Sequence, residues 1–417
     1  MTQLLLAWIL LQAPEYVRSA LFLPEHPRHL VSQDLDGDGL NDLAAVFDHR
    51  LVIWRQRAGG RFDFAAPDQT LAIAARAASF DFADLEHDGK CELILLEDGT
   101  RVVVYRMDGE HHLVRDPEPL VAGLAAIIMD GLRHLRFARD VDGDGKLDLI
   151  IPVPDAFLLF LQARDAQGKL LMNPGPKVAA DVSITITAGT GRSLGEGIGE
   201  TVVVPFFRIR DVNGDGKLDL VSETSELMAC YLAGKDGLPM TPTFTLDLKA
   251  LRSEIASADE EAFDPNNIAK GASETVDHRA ADINHDGIED HVIRQGQKVS
   301  LYLGTPAGVD FSKPNQVLKA SGNVLTHWVT DADGDGLLDL HILRMEDISI
   351  AEVLLWLVKA ERHRLRSVHL SLRRQCVREE AHAAPDGRPR DPGVARLWIG
   401  SRTWRRTSWR ARRCRPR

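Results

Sequence analysis

Apolar residues in this chain cluster in short runs separated by acids, glycines and turn residues, and the runs come in pairs. Residues 43–47, 93–96 and 149–151 are uninterrupted apolar stretches of strand length and read as buried strands. Turns at Asp48-His49-Arg50, Asp98-Gly99-Thr100 and Gln295-Gly296-Gln297 divide the pairs, and second strands are predicted over 51–54, 102–105, 157–161 and 299–303. Glycine hairpins at Gly59-Gly60, Asp108-Gly109 and Asp236-Gly237 lead to a third strand, for example 61–64. A fourth precedes the next pair, as at 78–82, 132–137 and 201–209. After residue 340 the pattern changes: residues 348–358 are almost wholly apolar and run into Lys359-Ala360-Glu361-Arg362, which predicts a helix.

A ten-residue stretch recurs ahead of these pairs, with copies beginning at Asp34, Asp84, Asp140, Asp211, Asp282 and Asp331. The intervals are 50, 56, 71, 71 and 49 residues, a period that marks a propeller or solenoid rather than separate domains. Four antiparallel strands per interval predict an all-β fold, a β-propeller of four-stranded blades with six recognisable repeats and six or seven blades. It is expected to span residues 21–370. The long intervals hold two insertions, residues 251–276, with room for one short helix, and the glycine-rich 189–199. Residues 189–195 lack the glycine spacing and the Lys-Ser/Thr pair of a phosphate cradle.

In each copy an oxygen-bearing side chain stands at positions 1, 3, 5 and 9 and a glycine at 6. This is how a short loop wraps a hard cation such as calcium, with the position 7 carbonyl as a further donor. An EF-hand also needs a bidentate acid at position 12 between two helices. Position 12 here is Ala45, Leu95, Ile151, Ser222, Ile293 or Ile342, so EF-hands are excluded. Closely spaced, cysteine-tied thrombospondin-type repeats are excluded by the spacing and by a total of four cysteines. A merely solvated turn is a poor account of six copies, because uncompensated carboxylates packed so closely repel one another.

Charge divides the chain. Residues 371–417 carry fourteen Arg against Glu379, Glu380, Asp386 and Asp391, so within a net charge of −11 the tail is +10 and the rest −21. The acidic body argues against a nucleic-acid partner and suits a protein neutralised by bound cations. The tail, rich in Arg, Pro and Trp, shows no strand alternation and is expected to be disordered, or to be out-of-frame sequence. Residues 4–11 are an apolar run of signal-peptide length, too short to span a bilayer, which makes residues 1–20 a candidate leader. No other stretch is predicted to cross a membrane. Cys91, Cys230, Cys376 and Cys414 show neither metal-ligand spacing nor an evident disulfide pattern.

The loops and the blade pattern together resemble the FG-GAP and VCBS repeat family, whose propellers include the head of integrin alpha subunits and many secreted bacterial proteins. The resemblance covers about residues 30–345. It is nearer to VCBS repeats, since the Phe-Gly and Gly-Ala-Pro signatures of integrin-type repeats are missing. It implies a loop joining the first two strands of each blade and holding one Ca2+, up to six ions in all. The metal ligands it implies in loop 1 are Asp34, Asp36, Asp38, Leu40 and Asp42, and in loop 2 Asp84, Glu86, Asp88, Lys90 and Glu92. Those of loop 3 are Asp140, Asp142, Asp144, Lys146 and Asp148, and those of loop 4 Asp211, Asn213, Asp215, Lys217 and Asp219. Loop 5 offers Asp282, Asn284, Asp286, Ile288 and Asp290, and loop 6 Asp331, Asp333, Asp335, Leu337 and Asp339. The position 7 residues would act through their carbonyls. Loop 2 departs from the pattern, with Glu86 and Glu92 each one methylene longer than Asp.

On this reading the metal is structural and function lies elsewhere. The sequence predicts a secreted, periplasmic or cell-surface scaffold, a monomer that recognises a protein or glycan. Extracellular calcium levels suit weak loops of this kind. The alternative is a calcium-stabilised enzyme acting on polysaccharide or lipid, since similar propellers occur in such enzymes. No nucleophile elbow, zinc-binding His pair or clustered acid and base is found by spacing, so no catalytic residue is assigned. Trp54, Trp328 and Trp356 are candidate sugar platforms that read equally as core, and His49, His87 and His285 read as turn residues.

Overall fold

The computed structural model describes residues 25–129, 131–187, 199–258, 275–351, 372–378 and 396–398, and singly 21, 23, 270 and 355. The candidate leader, most of both insertions and Trp356 lie outside these. The described chain is all-β, apart from one helix and a few further helical residues, and forms two compact units. The first holds residues 1–177 and 182–203, the second 178–181 and 204–417.

In the first unit, β1 (His29–Gln33), β2 (Asp42–Val46), β3 (Arg50–Trp54) and β4 (Gln69–Ala72) form an antiparallel meander. The second sheet repeats it with β5 (Ala77–Ala83), β6 (Glu92–Glu97), β7 (Arg101–Tyr105) and β8 (Glu118–Ala122), and β9 (Arg133–His134) adds to β5 in parallel. The third sheet is β10 (Ala138–Arg139), β11 (Asp148–Val153), β12 (Ala156–Arg164) and β13 (Leu170–Ala179). A separate ribbon pairs β14 (Ser183–Thr187) with β15 (Gly199–Val203).

The second unit has three more such sheets. The first comprises β16 (Phe206–Arg210), β17 (Asp219–Glu223), β18 (Leu227–Tyr231) and β19 (Phe244–Asp247), and the next β20 (Val276–Ala281), β21 (Asp290–Gln295), β22 (Lys298–Tyr302) and β23 (Gln316–Lys319). The last comprises β24 (Asn323–Thr330), β25 (Asp339–Met345), β26 (Leu372–Arg378) and β27 (Arg396–Trp398). Between β19 and β20 runs α1 (Leu248–Ala258), the short helix expected in the insertion, capped by Asp247 Oδ1, which accepts the Ala250 N–H at 2.7 Å.

The predicted apolar runs are the inner strands. All six residues of β6 and of β11 are buried, on both faces of the strand. Outer strands bury one residue only: β4, β19 and β23 each turn a single Leu inward, Leu71, Leu246 and Leu318. One core joins the first two sheets through Val31, Ile53, Phe80 and Leu93, and another joins the last two through Ile283, Leu301, Val324 and Leu340.

Three strand expectations are corrected. The strand expected after the Gly59-Gly60 hairpin is not 61–64 but β4, the fourth of the first sheet. Arg61 makes only an isolated bridge to Arg57, while Phe62 and Phe64 fold over buried Trp54. Burying those rings prevails over extending the hairpin. The stretch 132–137 yields only the short β9, with β10 starting at Ala138. The stretch 201–209 is broken at Pro205, which has no N–H for a ladder, so β15 pairs with β14 and β16 opens a new sheet. Ile350, Ala351 and Leu355 are helical, as predicted. Within the tail, where no strand is expected, β26 pairs with β25 and β27 with β26, satisfying the backbone groups that β25 would otherwise leave as an edge.

Candidate metal centres

Every acidic loop joins the first and second strands of a sheet, and position 9 is the first residue of the second strand: Asp42, Glu92, Asp148, Asp219, Asp290 and Asp339. The ring of contacts within a loop is set by spacing. The position 1 carboxylate accepts two backbone N–H groups. In loop 3, Asp140 Oδ1 takes that of Gly143 at 2.7 Å and Oδ2 that of Gly145 at 3.0 Å. Asp34, Asp211 and Asp331 repeat this with Gly37 and Gly39, Gly214 and Gly216, and Gly334 and Gly336. Position 5 accepts the N–H of position 7 in all six loops, at 2.8 to 3.0 Å.

Both position 4 and position 6 lie in the left-handed region. Gly37, Gly143, Gly214 and Gly334 at position 4 have φ of 72° to 80°, and His87 and His285 take the same place at 57° and 60°. Position 4 escaped the sequence reading, which singled out only the glycine at 6. The repeated Asp-Gly-Asp-Gly spelling was the available signal.

Position 9 has a second role the sequence did not reveal. Asp148 Oδ2 accepts the Val141 N–H at 2.9 Å and Oδ1 the Gln162 N–H at 2.8 Å, so one carboxylate ties the loop to the far end of the strand pair. Asp42, Asp219 and Asp290 make the same link to Gln56, Ala233 and Gly304, in each case fourteen residues on. These acids are buried, and burial pushes Asp148 up to about 6 and Glu92 up to about 7, with Asp42, Asp219 and Asp290 also raised. A buried carboxylate without a cation is costly. At the exposed position 5, hydrogen bonds from Lys146 and Lys217 hold Asp144 and Asp215 below the usual range.

Carboxylate oxygens of Asp34, Asp36 and Asp42 lie within 4.8 Å of one another, as do those of Asp140, Asp142 and Asp148 and those of Asp331, Asp333 and Asp335. Such sets of hard oxygen donors, two of them built on a buried acid (Asp42, Asp148) and the third on exposed ones, fit a cation of the calcium class. Loops 4 and 5 offer Asn213 and Asn284 at position 3, neutral oxygen donors on the same frame. In loop 2 the structure turns Glu86 aside, onto Arg106 and Arg164.

Adjacent loops touch within each unit. The Cys91 N–H of loop 2 donates to the Leu35 carbonyl of loop 1 at 2.9 Å, and Glu289 of loop 5 to Val212 of loop 4 at 2.9 Å. Residues 34–95, from the first loop to the inner strand after the second, match the model of the FG-GAP-like repeat. The chain carries an FG-GAP-like repeat. Beyond this FG-GAP match, no curated protein matches the chain in sequence. Among solved structures, an Agrocybe aegerita lectin that recognises non-reducing terminal N-acetylglucosamine is 17% identical, with 76% of each chain covered and a TM-score of 0.38. The Tc holotoxin pore of Photorhabdus luminescens is 17% identical over 76% of this chain and 13% of its own, with a TM-score of 0.28.

Of the tryptophans, Trp54 is buried against Phe64, and Trp328 is stacked on His341 with centroids 5.3 Å apart. His87 and His285 are turn residues at position 4. Among the described residues no helix is long and apolar enough to cross a membrane.

Proposed function

We propose that this FG-GAP repeat chain is a calcium-stabilised propeller scaffold that works outside the cytoplasm and recognises a protein or glycan partner. The observation that carries the metal part is the repetition of one carboxylate frame, with a buried position 9 acid, at the same point of successive sheets. An ion there would compensate the buried charge and add its binding free energy to folding, about 2.7 kcal/mol per site at a hundred times Kd. Asp140, Asp142, Asp144 and Asp148 are the clearest set. Calcium then acts by holding the sheets rigid, so that recognition loops lose less entropy on contact.

The recognition part rests on a groove in the second unit, of about 660 Å³, between the start of β19 and the connection from β22 to β23. Phe244, Leu301 and Leu303 line it with apolar surface, and Asp310, Lys313 and Gln316 with polar groups. A mixed lining of this size suits a small polar ligand with an apolar face, such as a sugar or a peptide turn.

The test is thermal unfolding with 1 mM calcium and with chelator, beside a glycan and protein binding screen in both conditions. A midpoint that falls in chelator, with binding lost in parallel, is expected. An unmoved midpoint sinks the metal reading, and turnover of a polysaccharide or phospholipid would replace the binding-only reading.

A further inference from the structure

Loop 2 has four acids, yet among the described residues it does not gather three carboxylate oxygens as loops 1, 3 and 6 do. Glu86, at position 3, points out of the loop. Its Oε1 takes a hydrogen bond from Arg106, just beyond β7, and its Oε2 lies 2.8 Å from Nη1 of Arg164, the last residue of β12. Arg164 Nη2 also donates to the Glu86 carbonyl at 3.4 Å, and Gln162 Nε2 to the Leu85 carbonyl at 2.8 Å. Arg106 is specific to this loop. The residue fourteen beyond position 9 is Arg106 here, whereas loops 1, 3, 4 and 5 have Gln56, Gln162, Ala233 and Gly304 there. The extra methylene of Glu lets the carboxylate reach past the loop to both guanidinium groups. In loop 1 Arg55 donates to Asp42 and its Nε lies 3.6 Å from Asp36, yet Asp34, Asp36 and Asp42 stay together and the position 3 acid is not drawn out of the loop.

We propose that loop 2 takes no divalent cation, and that a guanidinium clamp, Glu86 held by Arg106 and Arg164, replaces the ion and ties the second sheet to the third. Only the contrast with the other loops rests on the calcium reading above. An arginine pair is a permanent cation, since guanidinium stays charged at any physiological pH and forks onto carboxylate. The junction between these two sheets therefore keeps its charge compensation when calcium is withdrawn. At the loop 1–loop 2 contact the later loop donates a backbone N–H. At the loop 4–loop 5 contact the Glu289 N–H does the same, while Arg210 of β16 forks onto the Glu289 carboxylate, which stands at position 8, outside the acid positions of the loop.

The clamp predicts two results on the full chain. In chelator, Glu86→Gln and Arg106→Met should each lower the unfolding midpoint, by about 2–4 °C, and the double variant by less than the sum of the two, since Arg164 also holds Glu86 and Arg106 also holds Glu118. Additive single effects, or coupling that appears only with calcium, would overturn the clamp. Calcium bound after equilibrium dialysis should be unchanged by Glu86→Gln and lower by one ion in Asp142→Asn. Loss of an ion in Glu86→Gln would show that loop 2 is a metal site and defeat the proposal. If the native chain binds no ion, the metal reading of the other loops falls, while coupling that persists in chelator still upholds the clamp.

Discussion

A Cβ built on Gly37 would lie 2.5 Å from the carbonyl oxygen of Gly89, so position 4 of loop 1 rests directly on position 6 of loop 2. Gly214 and Gly287 repeat the relationship in the second unit, at 2.9 Å. The glycine thus serves two ends, a left-handed turn at φ +80° and a close approach of two loops.

Gly39 isolates the first of these, since it has a φ of +82° and open space around it. Gly39→Ala should cost about 1–2 kcal/mol, the left-handed strain alone. Gly37→Ala should cost about 3 kcal/mol or more, because the neighbouring backbone must also shift. Chemical denaturation of both variants checks this, and equal losses would mean that the loops do not press on one another.

His285 holds position 4 of loop 5 at φ +60°. His285→Gly removes left-handed strain and adds backbone entropy to the unfolded chain, so stability should stay level or rise by up to about 1 kcal/mol. A lowered midpoint would reveal a contact of the imidazole that the loop depends on.

Asp148 should matter even with no metal present. Asp148→Ala leaves the Val141 and Gln162 N–H groups without their acceptor, at about 1–3 kcal/mol for each donor. Asp144→Ala, at an exposed position, should change stability little in chelator and weaken calcium binding instead. Comparing the two variants with and without calcium separates the strand staple from the ligand, and identical profiles would refute the staple.

An acid limb of stability should come from Asp277 on β20. His327 Nδ1 lies 3.3 Å from its carboxylate and the Thr326 hydroxyl donates to it at 3.0 Å, both from β24. Burial acts to raise this carboxyl, but the neighbouring His327 imidazole, with the Thr326 hydroxyl and Arg279, outweighs it and holds it well below the usual range. A depressed folded pKa gives stability that is complete above the unfolded value of about 3.9 and is lost as pH falls through the folded value. The advantage of the native chain over Asp277→Asn in urea should therefore shrink as pH falls from about 5 toward pH 3. A gap constant to pH 3 would contradict the pairing.

What the sequence by itself determined is the set of features whose partners lie close along the chain. The inner strands were legible because both faces are buried and their apolar runs are unbroken, as in β6 and β11. The loops were legible because the acceptors at positions 1 and 5 serve N–H groups two to five residues on. Tertiary structure alone decided what depends on distant neighbours. The outer strand β4 carries one inward Leu, too weak a signal to place it against 61–64, where Phe62 and Phe64 bury on Trp54 instead. The contact of Gly37 with Gly89 and the grip of Arg164 on Glu86 join residues on different sheets. Such pairs are fixed only when the sheets pack, since no local spacing encodes which backbone or guanidinium will arrive from outside.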